Sequence, residues 1–116
     1  DRIAHLNLSF MREAVDQEVL FLIGQKYYKT LISLELRACN GVNDDGIIGL
    51  CERLSGIHKL RNGVEPEDDR QRYKLIYDVK CSHVNQNNLE FLNLADLKNI
   101  KDCSMKSVAH NLLNKL

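Results

Sequence analysis

The residues of this chain best suited to metal or thiol chemistry are four cysteines and two nearby histidines: Cys39, Cys51, Cys81, Cys103, His58 and His83. Zinc sites pair their ligands at short spacings such as C-x2-C or H-x3-H. Here 11, 29 and 21 residues separate the successive cysteines. With 44% apolar residues the chain can form a core without disulfides, so reduced and mostly buried thiols are expected. The sequence therefore predicts no metal site and no cofactor.

The glycine-rich stretch Gly41–Gly49 has the outline of a phosphate or calcium loop. It lacks the Lys and Ser or Thr of a phosphate loop, and Asp44 and Asp45 would repel a phosphate. Its first residue is a glycine, where a calcium loop requires a carboxylate. No nucleophile motif surrounds His5 or His110. We therefore expect no catalytic residues and no enzymatic activity.

Charge and hydropathy exclude two further classes of partner. Acidic and basic residues balance at 16 each, so no net charge attracts the chain to nucleic acid. The longest apolar stretch, Val19–Gly24, is far shorter than the roughly 20 residues that cross a bilayer. We expect no nucleic acid partner and no membrane insertion.

A repeated apolar unit is the strongest pattern in the sequence. Eight positions recur in type after 28 residues and again after a further 58. In the first copy they are Ile3, Leu6, Leu8, Met11, Ala14, Asp16, Val19 and Leu22; the second copy begins at Leu31 and the third at Leu89.

Each unit reads as a short strand followed by a helix. Leucines alternate at period two, as in Leu34-x-Leu36, so they should face the core from a strand. An aspartate eight residues after each second leucine, at positions 16, 44 and 102, should begin a helix and accept its first amide hydrogens. The same alignment places Cys39 and Cys51 in the core. It places Cys103 in solvent, as the best candidate for redox sensitivity.

The segment 60–88 should hold one more unit but fits the pattern poorly. A strand is predicted at Lys74–Cys81. Either a bulge precedes Cys81, which we favour, or Ile76 and Asp78 face inward and a carboxylate is buried. The remaining Ser82–Asn88 is too short for a helix. Arg61–Lys74 has eight charged residues and the only proline, and is predicted to be a solvated loop. The segment is either a degenerate repeat with an enlarged loop or a chain from which segments are missing.

The clearest copy, Leu31–Leu54, resembles the cysteine-containing leucine-rich repeat, because it begins with L-x-x-L-x-L-x-x-C. The resemblance implies an α/β fold: a short right-handed leucine-rich-repeat solenoid, with parallel strands on the concave face and helices on the convex face. Residues 1–116 would form one domain, with repeats at about 3–30, 31–59, 60–88 (degenerate or incomplete) and 89–116.

Three stretches resemble a mitochondrial group of such proteins, ATP synthase coupling factor B (subunit s) and the distal membrane-arm assembly factors of respiratory complex I. They are Cys39–Leu50 (CNGVNDDGIIGL), Val79–Val84 (VKCSHV) and Leu89–Asp102 (LEFLNLADLKNIKD). This resemblance implies a non-catalytic accessory or assembly factor that docks on subunits of a respiratory or ATP synthase complex, at the mitochondrial inner membrane or in the matrix. F-box proteins, the substrate receptors of ubiquitin ligases, carry similar repeats and are the cytoplasmic alternative.

Repeats of this kind bind proteins through outward strand positions rather than pockets. The inward register of the leucines defines those positions in the three copies. The expected binding residues are His5, Asn7, Ser9, Ser33, Glu35, Arg37, Phe91, Asn93 and Ala95. This mixed polar surface with one aromatic side chain favours a protein partner.

Overall fold

Three short strands form a parallel sheet in chain order: β1 (His5–Asn7), β2 (Ser33–Glu35) and β3 (Phe91–Asn93). The computed structural model describes residues 2–72 and 87–112. Leu34 lies opposite Leu6 on one side and Leu92 on the other. The three leucines that the sequence aligned are therefore neighbours in one sheet.

Helices follow the strands and pack in a row. They are α1 (Gln17–Tyr27), α2 (Asp44–Leu54), the short α3 (Ile57–Leu60) and α4 (Asp102–Leu112), and a further helical turn occupies 69–72. The middle helix α2 contacts α1, α3 and α4. Within the described parts of the chain, no helix combines the length and apolar character needed to span a bilayer.

The expected solenoid, with a concave strand face and a convex helix face, is wrong. The described sheet has three strands of three residues each. The Cα radius of gyration is 13.1 Å, close to the roughly 13 Å of a compact domain of this length. The fold is a small, compact α/β unit with an open parallel sheet.

The connection between β2 and β3 explains this difference. An offset of 58 residues suggested a further strand between the second and third copies, yet β3 pairs directly with β2. The described part of the intervening chain, up to residue 72, adds α3 and the turn at 69–72 to the helical side. The strand predicted at Lys74–Cys81 and the motif Val79–Val84, with His83, lie outside the described residues. The assignment of residues 1–116 to one domain with four repeats stays a prediction.

The core forms where the leucine columns meet the helices. Leu34 and Leu36 of the central copy are fully buried, while Leu6 and Leu92 are partly buried because each lies on an edge strand. Ile47 and Leu50 of α2 are also fully buried. The central copy therefore contributes most of the fully buried apolar surface.

Asp16 and Asp44, at the starts of α1 and α2, form different hydrogen bonds. Asp16 is the N-cap of α1, and its carboxylate accepts the Val19 N–H at 3.1 Å, as predicted. The N-cap of α2 is Asn43 rather than Asp44, so the prediction is wrong by one residue there. Asp44 instead accepts hydrogen bonds from Lys101 N–H at 2.7 Å and from the Ser104 hydroxyl at 2.6 Å.

Asp44 therefore fastens the start of α4 to the start of α2. The hydrogen bond from the Ser104 hydroxyl, above all, holds the pKa of the Asp44 carboxyl below its ordinary value, although partial burial opposes this. A carboxylate in this position also complements the positive end of the α4 helix dipole.

Replacing Asp44 should weaken the packing of α4 on α2, because the Lys101 N–H and the Ser104 hydroxyl would lose their acceptor. We expect Asp44→Ala to lower the free energy of unfolding by about 1–2 kcal/mol. Asp45→Ala is the matched control, since Asp45 is the exposed neighbouring acid in the same helical turn. Urea denaturation measures both, and equal losses for the two variants would contradict the assigned role.

A buried acid fixes the long connection against α2. Glu52 is fully buried, and its carboxylate oxygens lie 2.9 Å from Arg61 Nη1 and 2.6 Å from Arg72 Nη1. Arg61 also donates from Nη2 to the backbone carbonyl of Arg72 at 2.8 Å. The expectation that Arg61–Lys74 is a solvated loop is thus wrong for these two arginines, because each pairs with a carboxylate that lies in the interior.

The cysteines occupy the environments that the repeat predicted. Cys39 and Cys51 are fully buried and Cys103 is exposed; all three are free thiols. The Cys39 thiol donates to the Leu8 carbonyl at 3.0 Å, and so contacts the preceding copy of the repeat. Cys81 lies outside the described residues.

The buried thiol of Cys51 makes stability depend on alkaline pH. Burial raises its pKa to about 12, whereas an unfolded thiol ionises near 8.5, so the unfolded state alone loses the proton between these values. The contribution of this thiol to the free energy of unfolding has its full value below about pH 8.5. Above that pH the contribution falls by about 1.4 kcal/mol per pH unit. Denaturation curves at pH 9.5 and 10.5 should show this extra loss in the wild type relative to Cys51→Ala. Parallel pH profiles for the two proteins would contradict it.

Candidate protein-binding face

Nine side chains at the outward positions of the strands form what we call the strand face. The sheet register aligns them in rows across the three strands. The rows are His5, Ser33 and Phe91; Asn7, Glu35 and Asn93; and Ser9, Arg37 and Ala95. Because side chains alternate along a strand, these rows lie on the side of the sheet opposite the buried leucines. The structure thus brings together all nine residues that the sequence predicted.

Backbone hydrogen bonds extend the parallel alignment beyond the strand ends. Phe10 N–H donates to the Arg37 carbonyl at 2.8 Å, and Ala38 N–H donates to the Ala95 carbonyl at 3.0 Å. The third row is therefore held in line with the other two, although it follows the strands. All nine residues are exposed or half-buried.

The first row combines a hydrogen-bonded pair with an aromatic ring. His5 Nδ1 lies 3.1 Å from the Ser33 hydroxyl. Phe91 is 50% exposed beside them, on the outer strand. An exposed aromatic ring next to polar groups is typical of the centre of protein interfaces, where such rings bury the most apolar area.

The second row fixes the backbone at the ends of the outer strands. The side-chain carbonyls of Asn7 and Asn93 accept the N–H groups of Ser9 and Ala95 at 3.0 and 2.9 Å. These are local turns of the kind that asparagine favours. An asparagine at the same position of the repeat thus fixes the backbone at both edges of the strand face.

Arg37 is a charged residue of the strand face with contacts on both sides. Its Nε donates to the Asp96 carboxylate at 2.9 Å, and its guanidinium carbon lies 5.6 Å from the centroid of the Phe10 ring. The Arg37 and Asp96 side chains are 52% and 62% exposed, so this pair contributes only about 0–1 kcal/mol to folding. The two contacts instead fix the position of the Arg37 guanidinium between an aromatic ring and an acid. Its remaining N–H groups stay available to a partner, since the side chain is 52% exposed.

Sequence reasoning missed Phe10 and Asp96 as members of this face. Strict alternation would point both side chains inward, but Phe10, Ala38 and Asp96 all adopt left-handed backbone with φ of 57–64°. The chain turns at this one position of every copy, and Phe10 is consequently 65% exposed. The three equivalent residues share neither size nor chemical type, so the sequence carries no common signal for the left-handed conformation.

A cavity of about 530 Å³ lies away from the strand face, beside α1, α2 and α3. His58 lines it, and burial, together with repulsion by Arg53, keeps the pKa of this imidazole below its ordinary value. The Arg53 guanidinium stacks 3.9 Å from the centroid of the Phe21 ring. Arg53 thus packs against α1, and both Arg53 and His58 lie near the Glu65 carboxylate, at 3.9 and 3.7 Å. Among the residues that the structure describes, no group of three or more His, Cys, Asp or Glu could hold a metal ion.

Comparison of the chain with family models, curated proteins and solved structures finds no match. The strand face, rather than any relative, therefore has to support a functional assignment.

Proposed function

We propose that this chain is a non-catalytic protein-binding module, and that the strand face is where its partner docks. The observation that carries the proposal is the ordered group at one end of this face, where Arg37 lies between Phe10 and Asp96. Arginine and aromatic residues dominate the binding energy of protein interfaces. A preformed arginine also loses less side-chain entropy on binding than a mobile one.

The partner that this proposal names is a subunit of a mitochondrial respiratory or ATP synthase complex, for which the chain would be an accessory or assembly factor. The support is the resemblance of Cys39–Leu50 and Leu89–Asp102 to coupling factor B and the complex I assembly factors. Both stretches are described by the structure, and Asp44 of the first accepts a hydrogen bond from Lys101 N–H of the second. The mitochondrial location, at the inner membrane or in the matrix, belongs to the same proposal.

Affinity purification of the tagged chain from cells, followed by identification of the bound proteins, tests this function. We expect respiratory or ATP synthase subunits with the wild type, and recovery reduced at least tenfold with Arg37→Ala or Phe91→Ala, a cost of about 1.4 kcal/mol or more. Lys59→Ala is the matched control, because Lys59 is an exposed cation on α3, on the helical side. Recovery of ubiquitin-ligase adaptor subunits alone would reject the mitochondrial assignment. Undiminished recovery with both strand-face variants would reject the strand face as the docking site.

A further inference from the structure

The two strand pairs of the sheet use the same backbone hydrogen bonds. Between β1 and β2, Ser33 N–H donates to the Ala4 carbonyl at 3.0 Å and Leu8 N–H donates to the Glu35 carbonyl at 2.9 Å. The pair β2 and β3 repeats this pattern with Phe91 N–H to the Ile32 carbonyl at 3.1 Å. The repeat therefore specifies which groups each strand presents on either side.

The same pattern identifies the groups at the two outer edges that no strand among residues 2–72 and 87–112 pairs with. On β3 they are the Glu90 carbonyl and the Leu94 N–H, which are equivalent to the paired groups of Ala4 and Leu8. On β1 they are the His5 N–H and the Asn7 carbonyl, which are equivalent to the paired groups of Ser33 and Glu35. No described residue forms a hydrogen bond with any of these four groups. Each edge thus offers one donor and one acceptor, placed so that the donor of either edge can meet the acceptor of the other, as in the existing strand pairs.

Apolar side chains are exposed at both ends of the stack. Phe91 and Met105 are 50% and 46% exposed at the β3 end, beside an apolar cleft of about 420 Å³. Ile47, the residue of α2 equivalent to Met105, is fully buried in the middle of the stack. Ile3 and Leu22 are 37% and 63% exposed at the β1 end. Both ends therefore carry apolar surface of the kind that a neighbouring copy of the unit buries in the centre.

We propose that the β3 edge of one molecule binds the β1 edge of a second copy, so that the parallel sheet continues from one molecule to the next. In the register of the existing pairs, Leu94 N–H donates to the Asn7 carbonyl of the second copy. The second copy's His5 N–H donates to the Glu90 carbonyl, and its imidazole lies beside the Phe91 ring. An unpaired strand edge is a ready template for such pairing. The contact joins two different edges, so it leaves one free edge at each end and can propagate into longer assemblies.

Proline variants test the two edges separately, because proline removes one N–H and is tolerated on edge strands. Leu94→Pro disables the β3 edge and His5→Pro disables the β1 edge. Leu94→Ala and His5→Ala are the matched controls, since they remove the same side chains and keep the N–H groups. Circular dichroism checks that each variant is folded.

Sedimentation velocity over a range of concentrations measures the self-association of the wild type and of each variant. We expect the wild type and both alanine controls to self-associate, and each proline variant to do so about tenfold more weakly or less. An equimolar mixture of the two proline variants should form a one-to-one heterodimer and nothing larger, because each retains one working edge.

A wild type that stays monomeric throughout, or folded variants that do not pair on mixing, would overturn the proposal and leave the edge to a strand of another protein. If Leu94→Pro does not fold, Met105→Glu replaces it, because a carboxylate in the apolar cleft should block the same edge. Self-association that is lost in Leu94→Pro but unchanged in Arg37→Ala would separate this edge from the strand face proposed to dock the partner.

Discussion

Glu52→Gln should lower the free energy of unfolding by about 3–5 kcal/mol, because it leaves Arg61 and Arg72 charged without their shared carboxylate. The Arg61 side chain is 8% exposed and that of Arg72 18%, so solvent replaces little of the lost interaction. The loss would be a large part of the roughly 5–15 kcal/mol that stabilises a typical domain. Guanidinium denaturation monitored by circular dichroism measures it.

Glu65→Gln is the matched control, because Glu65 belongs to the same group of charges but is 58% exposed. Its oxygens lie 3.7–4.0 Å from Arg53, His58 and Arg72. Exposed pairs of this kind contribute about 1 kcal/mol or less. A Glu52→Gln variant no less stable than Glu65→Gln would contradict the burial of this acid and its role in holding the connection against α2.

Leu34→Ala should cost about 2–5 kcal/mol, because it empties the centre of the sheet. Leu34 is fully buried on the middle strand, opposite Leu6 and Leu92. The cavity cannot close easily, since strands lie on both sides and Leu34 belongs to the same tightly packed core as Ile47 and Leu50 of α2. Thermal and chemical denaturation both report this loss.

Leu22→Ala removes the same side-chain atoms from a position that is 63% exposed. We expect a change within about 0.5 kcal/mol, since alanine also favours the helix. Similar losses for Leu34→Ala and Leu22→Ala would show that the leucine columns do not lie as described.

The local units of the fold could be predicted because each depends on residues close in the sequence. Leu-x-Leu alternation specifies which side chains of β2 face the core, and Asp16 caps α1 where the pattern placed it. The nine outward positions follow from the same alternation, so these members of the strand face were predictable. The free thiols of Cys39 and Cys51 followed from their alignment with apolar residues of the other copies.

The order of the units in space could not be predicted from their spacing. A 58-residue offset is compatible with one intervening strand or with none, and only the pairing of β2 with β3 decides. The connection between these strands packs against Glu52, an acid of α2. No local pattern indicates the burial of this acid, because charged residues are almost never buried unless paired. Its partners Arg61 and Arg72 lie in a stretch whose composition is that of a solvated loop.

The orientation of the Phe10 and Asp96 side chains could not be predicted for another reason. A non-glycine residue with positive φ is rare, and neither a phenylalanine nor an alanine in the sequence indicates that conformation. Once the chain turns there, Phe10 and Asp96 flank Arg37 and complete the strand face.

The alignment of the three strands can be measured directly in solution by nuclear Overhauser contacts between backbone protons of β1, β2 and β3. In the arrangement described, protons of Leu34 should show contacts typical of parallel strands with residues around Leu6 and also around Leu92. These two sets of contacts would place the three rows of the strand face side by side. Antiparallel contacts, or a different strand between β2 and β3, would separate Arg37 from Asp96 and remove the surface on which the proposed function depends.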